Sequence, residues 1–128
     1  MSKKILVVDD DDLLRRSVVR MLRRALGMEL RIVEVPSAFK ALSEWNLAVE
    51  ENEPFGLVLS DMRMPGMDGS ELYTQLRARG LDMRRFMLMS GHMDSSQARF
   101  VHEHGILLLE KPFDPKKLLE LVQNILAS

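Results

Sequence analysis

Ile5-Leu6-Val7-Val8-Asp9-Asp10 decides the fold: four apolar residues run without a break into a block of acid. A strand that is apolar at consecutive positions has both faces covered, as happens in parallel sheets flanked by helices. Runs of the same kind recur at Leu57-Val58-Leu59, Phe86-Met87-Leu88-Met89 and Ile106-Leu107-Leu108-Leu109. Leu30-Arg31-Ile32-Val33-Glu34-Val35 mixes apolar and charged residues, which suits an edge strand with one wetter side.

Helical spacing fills the intervals. Asp12 reads as an N-cap ahead of Leu14, Val18, Met21, Leu22 and Ala25, with Gly27 at the C-terminal position. Ser37 opens a second helix carrying Phe39, Ala41, Leu42 and Trp45, and the polar stretch Asn46–Phe55 reads as the connection after it. Ser70 opens a third with Leu72, Tyr73 and Leu76, ending near Gly80, and Asp94 or Ser95 starts a fourth that runs to Gly105. Asp114-Pro115 is a cap followed by proline at the first helical position, leading into Leu118, Leu121, Val122 and Ile125. Five βα units with short connections predict one open parallel sheet with helices on both faces, in a single domain.

Composition narrows the function classes. The 128 residues carry 18 basic and 19 acidic side chains, without the basic excess of a general nucleic-acid binder. The absence of cysteine removes disulfides, thiolate nucleophiles and cysteine-ligated metal centres. No apolar run exceeds four residues, so neither a membrane span nor a signal peptide is expected. The expectation is a soluble, cytoplasmic protein.

In open α/β sheets, ligands sit beyond the carboxyl ends of the strands. There the chain places Asp9 to Asp12, then Ser60-Asp61-Met62-Arg63-Met64-Pro65-Gly66-Met67-Asp68-Gly69, then Ser90-Gly91-His92, then Glu110-Lys111-Pro112-Phe113. Clustered aspartates repel and call for a counter-ion, and an all-oxygen donor set suits Mg²⁺. A carboxylate beside such a cation can attack a phosphoryl donor, with a lysine and a hydroxyl holding the phosphoryl oxygens. Asp61, Lys111 and Ser90 supply those groups, and the chemistry points to an acyl phosphate on an aspartate.

The set Ile5–Asp10, Asp61–Gly69, Met89-Ser90-Gly91 and Lys111-Pro112-Phe113 resembles the receiver domain of two-component response regulators, in order and over essentially the whole chain. The resemblance implies a flavodoxin-like (βα)5 three-layer sandwich with a parallel five-stranded sheet of order 2-1-3-4-5, and one receiver domain over residues 1–128. It implies that Asp61 accepts a phosphoryl group from a histidine kinase or histidine phosphotransfer protein, as a signalling switch and not a turnover enzyme. Mg²⁺ or Mn²⁺ is implied at Asp10, Asp9 and Asp61, with the backbone carbonyl of Arg63. Ser90, the Gly91 backbone and Lys111 would hold the phosphoryl group, and Pro112 would follow a cis peptide bond. Arg63 and His92 are candidate modulators of phosphoryl lifetime, and Leu13, Leu14, Ser17 and Met21 a candidate kinase-docking face. The family often dimerises on phosphorylation; direct nucleic-acid contact and membrane insertion are not expected.

Two positions depart from the family pattern. Leu108 stands where receivers often carry a switching Tyr or Phe, and His104 where they usually carry a small residue. Leu108 keeps open a receiver-shaped interaction module that acts without phosphorylation. A small Mg²⁺-dependent aspartyl-phosphate phosphohydrolase is the enzymatic alternative, but it usually carries an acid two positions past the nucleophile, where Arg63 stands. The chain stops just after the fifth helix, so no output domain is expected within it, and its motifs lean toward the receivers of hybrid kinases. Plainer readings cover the rest. Asp11 and Asp12 are helix caps, Arg15, Arg16, Arg20, Arg23 and Arg24 a solvated helix face, and the methionines core filler. His102 and His104, two apart on a helix, do not face each other as a zinc pair would.

Overall fold

A computed structural model describes residues 4–27 and 29–128. Strands β1 (Lys4–Val8), β2 (Arg31–Val35), β3 (Leu57–Asp61), β4 (Phe86–Ser90) and β5 (Leu107–Glu110) alternate with helices α1 (Asp12–Leu26), α2 (Ala38–Glu50), α3 (Gly69–Ala78), α4 (Ser95–His104) and α5 (Pro115–Ala127). All four strand pairings are parallel and the order is β2-β1-β3-β4-β5. The molecule is therefore the flavodoxin-like sandwich.

Alternation along each strand divides the core in two, because successive side chains point to opposite faces. Leu6, Val8, Val58, Phe86 and Leu88 pack with α2, α3 and Val101 of α4. Ile5, Val7, Leu57, Leu59, Met87 and Met89 pack with α1 and α5. Met62, Met64, Met87 and Met89 are buried, as filler residues should be. The register then aligns the strand ends: Val8 pairs with Ser60, Asp61 with Met89, and Ser90 with Glu110. Residues that immediately follow those positions emerge on one rim.

Several local expectations are corrected. Asp11, not Asp12, caps α1, with its side chain accepting the Leu14 N–H. The third helix starts at Gly69, one residue before Ser70, behind an Asp68/Glu71 capping box. Residues 46–50 continue α2, so the connection is shorter than expected. Phe39 is not core: it is 56% exposed and lies over Gly66, whose added Cβ would meet its ring at 2.8 Å. β5 is an edge strand like β2, which leaves Leu107 37% exposed despite its apolar run. Arg15 is buried, unlike the solvated arginines beside it. His104 stacks on Phe100 with ring centroids 4.0 Å apart, and both rings pack edge-on to Tyr73 of α3.

Gly69 shows how tightly the rim is built. A Cβ there would lie 2.6 Å from the Asp61 carbonyl oxygen and 2.6 Å from Leu88 Cδ2. The position is helical, where alanine normally gains up to about 1 kcal/mol over glycine. Overpacking of about 1–3 kcal/mol should outweigh that gain. Gly69→Ala is expected to lower Tm in thermal denaturation; an unchanged or higher Tm would show that the end of β3 yields easily.

Candidate functional site

Asp61 ends β3 and is buried, with its Oδ1 accepting from Lys111 Nζ at 3.0 Å. Its backbone is pinned on two sides: the Ser60 hydroxyl donates to the Asp61 carbonyl, and the Met62 N–H donates to the Met89 carbonyl at 2.9 Å. Lys111 is anchored in turn, its own N–H donating to the Ser90 carbonyl at 2.8 Å, and the Lys111–Pro112 bond is cis. The Asp61 carboxylate and the lysine thus belong to hydrogen-bonded strand ends, as a preorganised site requires.

Asp9 is fully buried at the end of β1 and Asp10 is exposed at the mouth. Carboxylate oxygens of Asp9, Asp10 and Asp61 all lie within 4.8 Å of one another. Asp9 Oδ1 accepts the Asp11 N–H, while Oδ2 is buried with no hydrogen-bond partner among the described residues. The buried Ser90 hydroxyl likewise has none among them. A buried acceptor and a buried hydroxyl at strand ends on the same rim, each without a partner among the described residues and both normally costly, suit a site that pairs with something bound. The hard, oxygen-only donor set fits Mg²⁺ or Mn²⁺.

Burial pushes the Asp9 carboxyl up to about 6; Asp61 and Asp10 push the same way, against the Asp11 N–H and Lys111. Two unit charges about 5 Å apart repel by roughly 3 kcal/mol at the effective dielectric of a protein. One lysine contact does not offset three such pairs.

The remaining expected residues sit around this corner. Arg63 is exposed and lines an open groove of about 410 Å³ with Asp10, Met64, Pro65, Asp68 and Gln97. Gly91 is exposed, with room for a Cβ 3.8 Å from that of Lys111, and His92 is exposed beside it. Leu108 is half-buried against the cluster on the α2–α4 face. Leu13 stands 81% exposed on α1; Leu14, Ser17 and Met21 are half-buried along the same helix.

A family model described as the response regulator receiver domain matches residues 5–123. The chain belongs to the response regulator receiver domain family. Among relatives, this receiver domain is 32% identical to the transcriptional regulatory protein FixJ of Bradyrhizobium diazoefficiens over 94% of the chain and 55% of FixJ. It is 34% identical to the C4-dicarboxylate transport transcriptional regulatory protein DctD of Pseudomonas aeruginosa over 96% of the chain and 25% of DctD. The chain thus spans about half the length of the first relative and a quarter of the second. A putative response regulator from Chloroflexus aurantiacus superposes with a TM-score of 0.79 at 28% identity, each chain fully covered. A response regulator receiver protein from Pseudomonas putida gives 0.77 at 29%, over 97% of this receiver and 98% of the other.

One buried side chain escaped the sequence reading: Arg15, 7% exposed and grouped there with four solvated arginines. A signal was present, since Arg15, Val18, Val19 and Leu22 share the i, i+3, i+4, i+7 spacing of one buried stripe.

A carboxyl whose folded pKa is raised binds its proton more tightly when folded. Stability conferred by Asp9 therefore falls as pH rises from its ordinary value of 3.8 to about 6, and the full cost is present above that. Asp9→Asn keeps an oxygen for the Asp11 N–H but removes the charge. Without divalent cation, the variant is expected to melt higher than wild type at pH 7, by about 4 °C for each kcal/mol relieved. The gap should close toward pH 4. A gap that is absent or grows on acidification would contradict the electrostatic account.

Proposed function

We propose that this receiver domain, read as one unit over residues 1–128, is the phosphoacceptor switch of a two-component phosphorelay. The observation that carries the reading is Asp61 itself, a buried carboxylate tied to Lys111 at 3.0 Å and facing two acidic neighbours. Its donor is the phosphohistidine of a histidine kinase or phosphotransfer protein. The Asp61 oxygen not held by Lys111 attacks phosphorus, an O–P bond forms, the P–N bond breaks, and the imidazole leaves with the bonding pair to be protonated. Lys111 keeps the attacking carboxylate oriented and then balances the negative charge of the acyl phosphate. The Ser90 hydroxyl, without a partner among the described residues, donates to a phosphoryl oxygen, and the Gly91 N–H lies next in the chain to assist.

Asp9, Asp10, Asp61 and the carbonyl of Arg63 are the groups that would hold Mg²⁺ or Mn²⁺, which supplies the positive charge needed to bring a phosphoryl group against three carboxylates. Arg63 and His92, exposed at the mouth, are placed to influence water access and so the lifetime of the phosphoryl group. Leu13, Leu14, Ser17 and Met21 form the proposed kinase-docking face, beside a groove of about 400 Å³ between α1 and α5. With Leu108 already packed on the core side, the readout does not rely on a rotating ring at that position. A shift in self-association on phosphorylation is the readout we favour.

Intact mass after incubation with acetyl phosphate tests the reading. Wild type is expected to gain one phosphoryl group only when Mg²⁺ is present, and Asp61→Asn to gain none. A folded wild type that never gains mass would favour an interaction module that works without phosphorylation. Sustained turnover of a phosphomonoester would favour the phosphohydrolase.

A further inference from the structure

Arg15 is 7% exposed, on a helix whose Arg16, Arg20, Arg23 and Arg24 all reach solvent. Burying a guanidinium is costly unless each face of it is met, so its partners indicate its task. Three of its nitrogens reach three different segments. Nη1 donates to the backbone carbonyl of Asp9 at 2.7 Å, Nε to Glu34 Oε1 on β2 at 3.0 Å, and Nη2 pairs with Asp12 Oδ1 at 2.8 Å.

The carbonyl of Asp9 belongs to the peptide that joins Asp9 to Asp10. Holding that oxygen, while the Asp9 N–H of the preceding peptide donates to the Val35 carbonyl, braces the backbone on both sides of the Asp9 Cα and restrains where its carboxylate and the adjoining Asp10 sit. Asp9 Oδ1 is then spent on the Asp11 N–H, and Oδ2 is the oxygen left to present to the pocket. Glu34 and Asp12 more than offset the guanidinium charge, so Arg15 fastens the loop without neutralising the acidic corner. Lysine could carry the charge but not the planar three-way fork.

We propose that Arg15 is a positioning residue for the cation pocket, acting through the Asp9 peptide to set Asp9 and Asp10 in the geometry that holds a divalent cation. The inference rests on the metal-assisted phosphoacceptor reading above and adds a residue to it.

The test measures Mg²⁺ affinity by titration calorimetry on wild type, Arg15→Lys and Arg15→Met, together with amide hydrogen exchange at Asp11 in the metal-free proteins. All measurements are made well below each variant's Tm. Both substitutions are expected to weaken Mg²⁺ binding by about 10-fold or more, in the range of other groups that orient metal ligands. Both should speed Asp11 exchange even without metal. Asp12→Asn and Glu34→Gln loosen the fork while leaving Arg15 in place, and should shift both readouts in the same direction by less. They decide the matter if the Arg15 variants fail to fold. Unchanged affinity and unchanged Asp11 exchange in folded variants would reduce Arg15 to a structural ion pair and overturn the proposal. Wild type that binds no Mg²⁺ would sink the underlying metal reading instead, while Asp11 exchange would still report whether Arg15 holds the loop.

Discussion

Carboxylates from two strand ends, with oxygens within 4.8 Å of one another, are forced together by a sheet whose register cannot easily move. β1 and β3 are central strands, apolar on both faces, and a slip of one residue would turn each buried set toward the opposite layer. The hydrophobic energy of the core therefore holds an electrostatically unfavourable corner in place. Lys111 relieves part of the repulsion at Asp61, but Asp9, buried and raised to about 6, remains under tension. That tension is what a bound divalent cation would relieve.

The rest of the rim is arranged to keep this corner stiff. Gly69 allows the start of α3 to press against the Asp61 carbonyl, where no Cβ fits. Arg15 ties the loop after β1 to β2, and the Lys111 N–H ties the segment after β5 to the end of β4. By contrast, Val101 is the one buried residue of α4, which leans on the ring contacts of Phe100 and His104 with Tyr73. A stiff site beside a lightly held helix is a reasonable division for a switch, because elements that move belong to the less stable parts of a fold.

Much of this was legible in the residues. Continuous apolar runs leading to Asp9, Asp61 and Ser90 identify buried parallel strands and the rim at once, because a strand covered on both faces favours such runs. The β5 run misleads because an edge strand can also be apolar; Leu107 and Leu108 are exposed or half-exposed for lack of a second neighbour. Helix starts slipped by one or two residues where several capping side chains competed, at Asp11 against Asp12 and at Asp68 against Ser70. Phe39, read with Ala41, Leu42 and Trp45 as part of one helical pattern, is exposed and lies against Gly66 instead. Arg15 was misjudged for the opposite reason, since charge suggested solvent while its position on the helix pointed inward.

The central claim is that Asp61, alone among the crowded aspartates, carries the phosphoryl group. Borohydride reduces an acyl phosphate to an alcohol and so would leave homoserine at the modified position. Tandem mass spectrometry of the protein after treatment with acetyl phosphate, Mg²⁺ and then borohydride locates that residue directly. The account predicts homoserine at position 61 and unmodified aspartate at positions 9 and 10. Homoserine at position 9 or 10, or at none of the three, would contradict it.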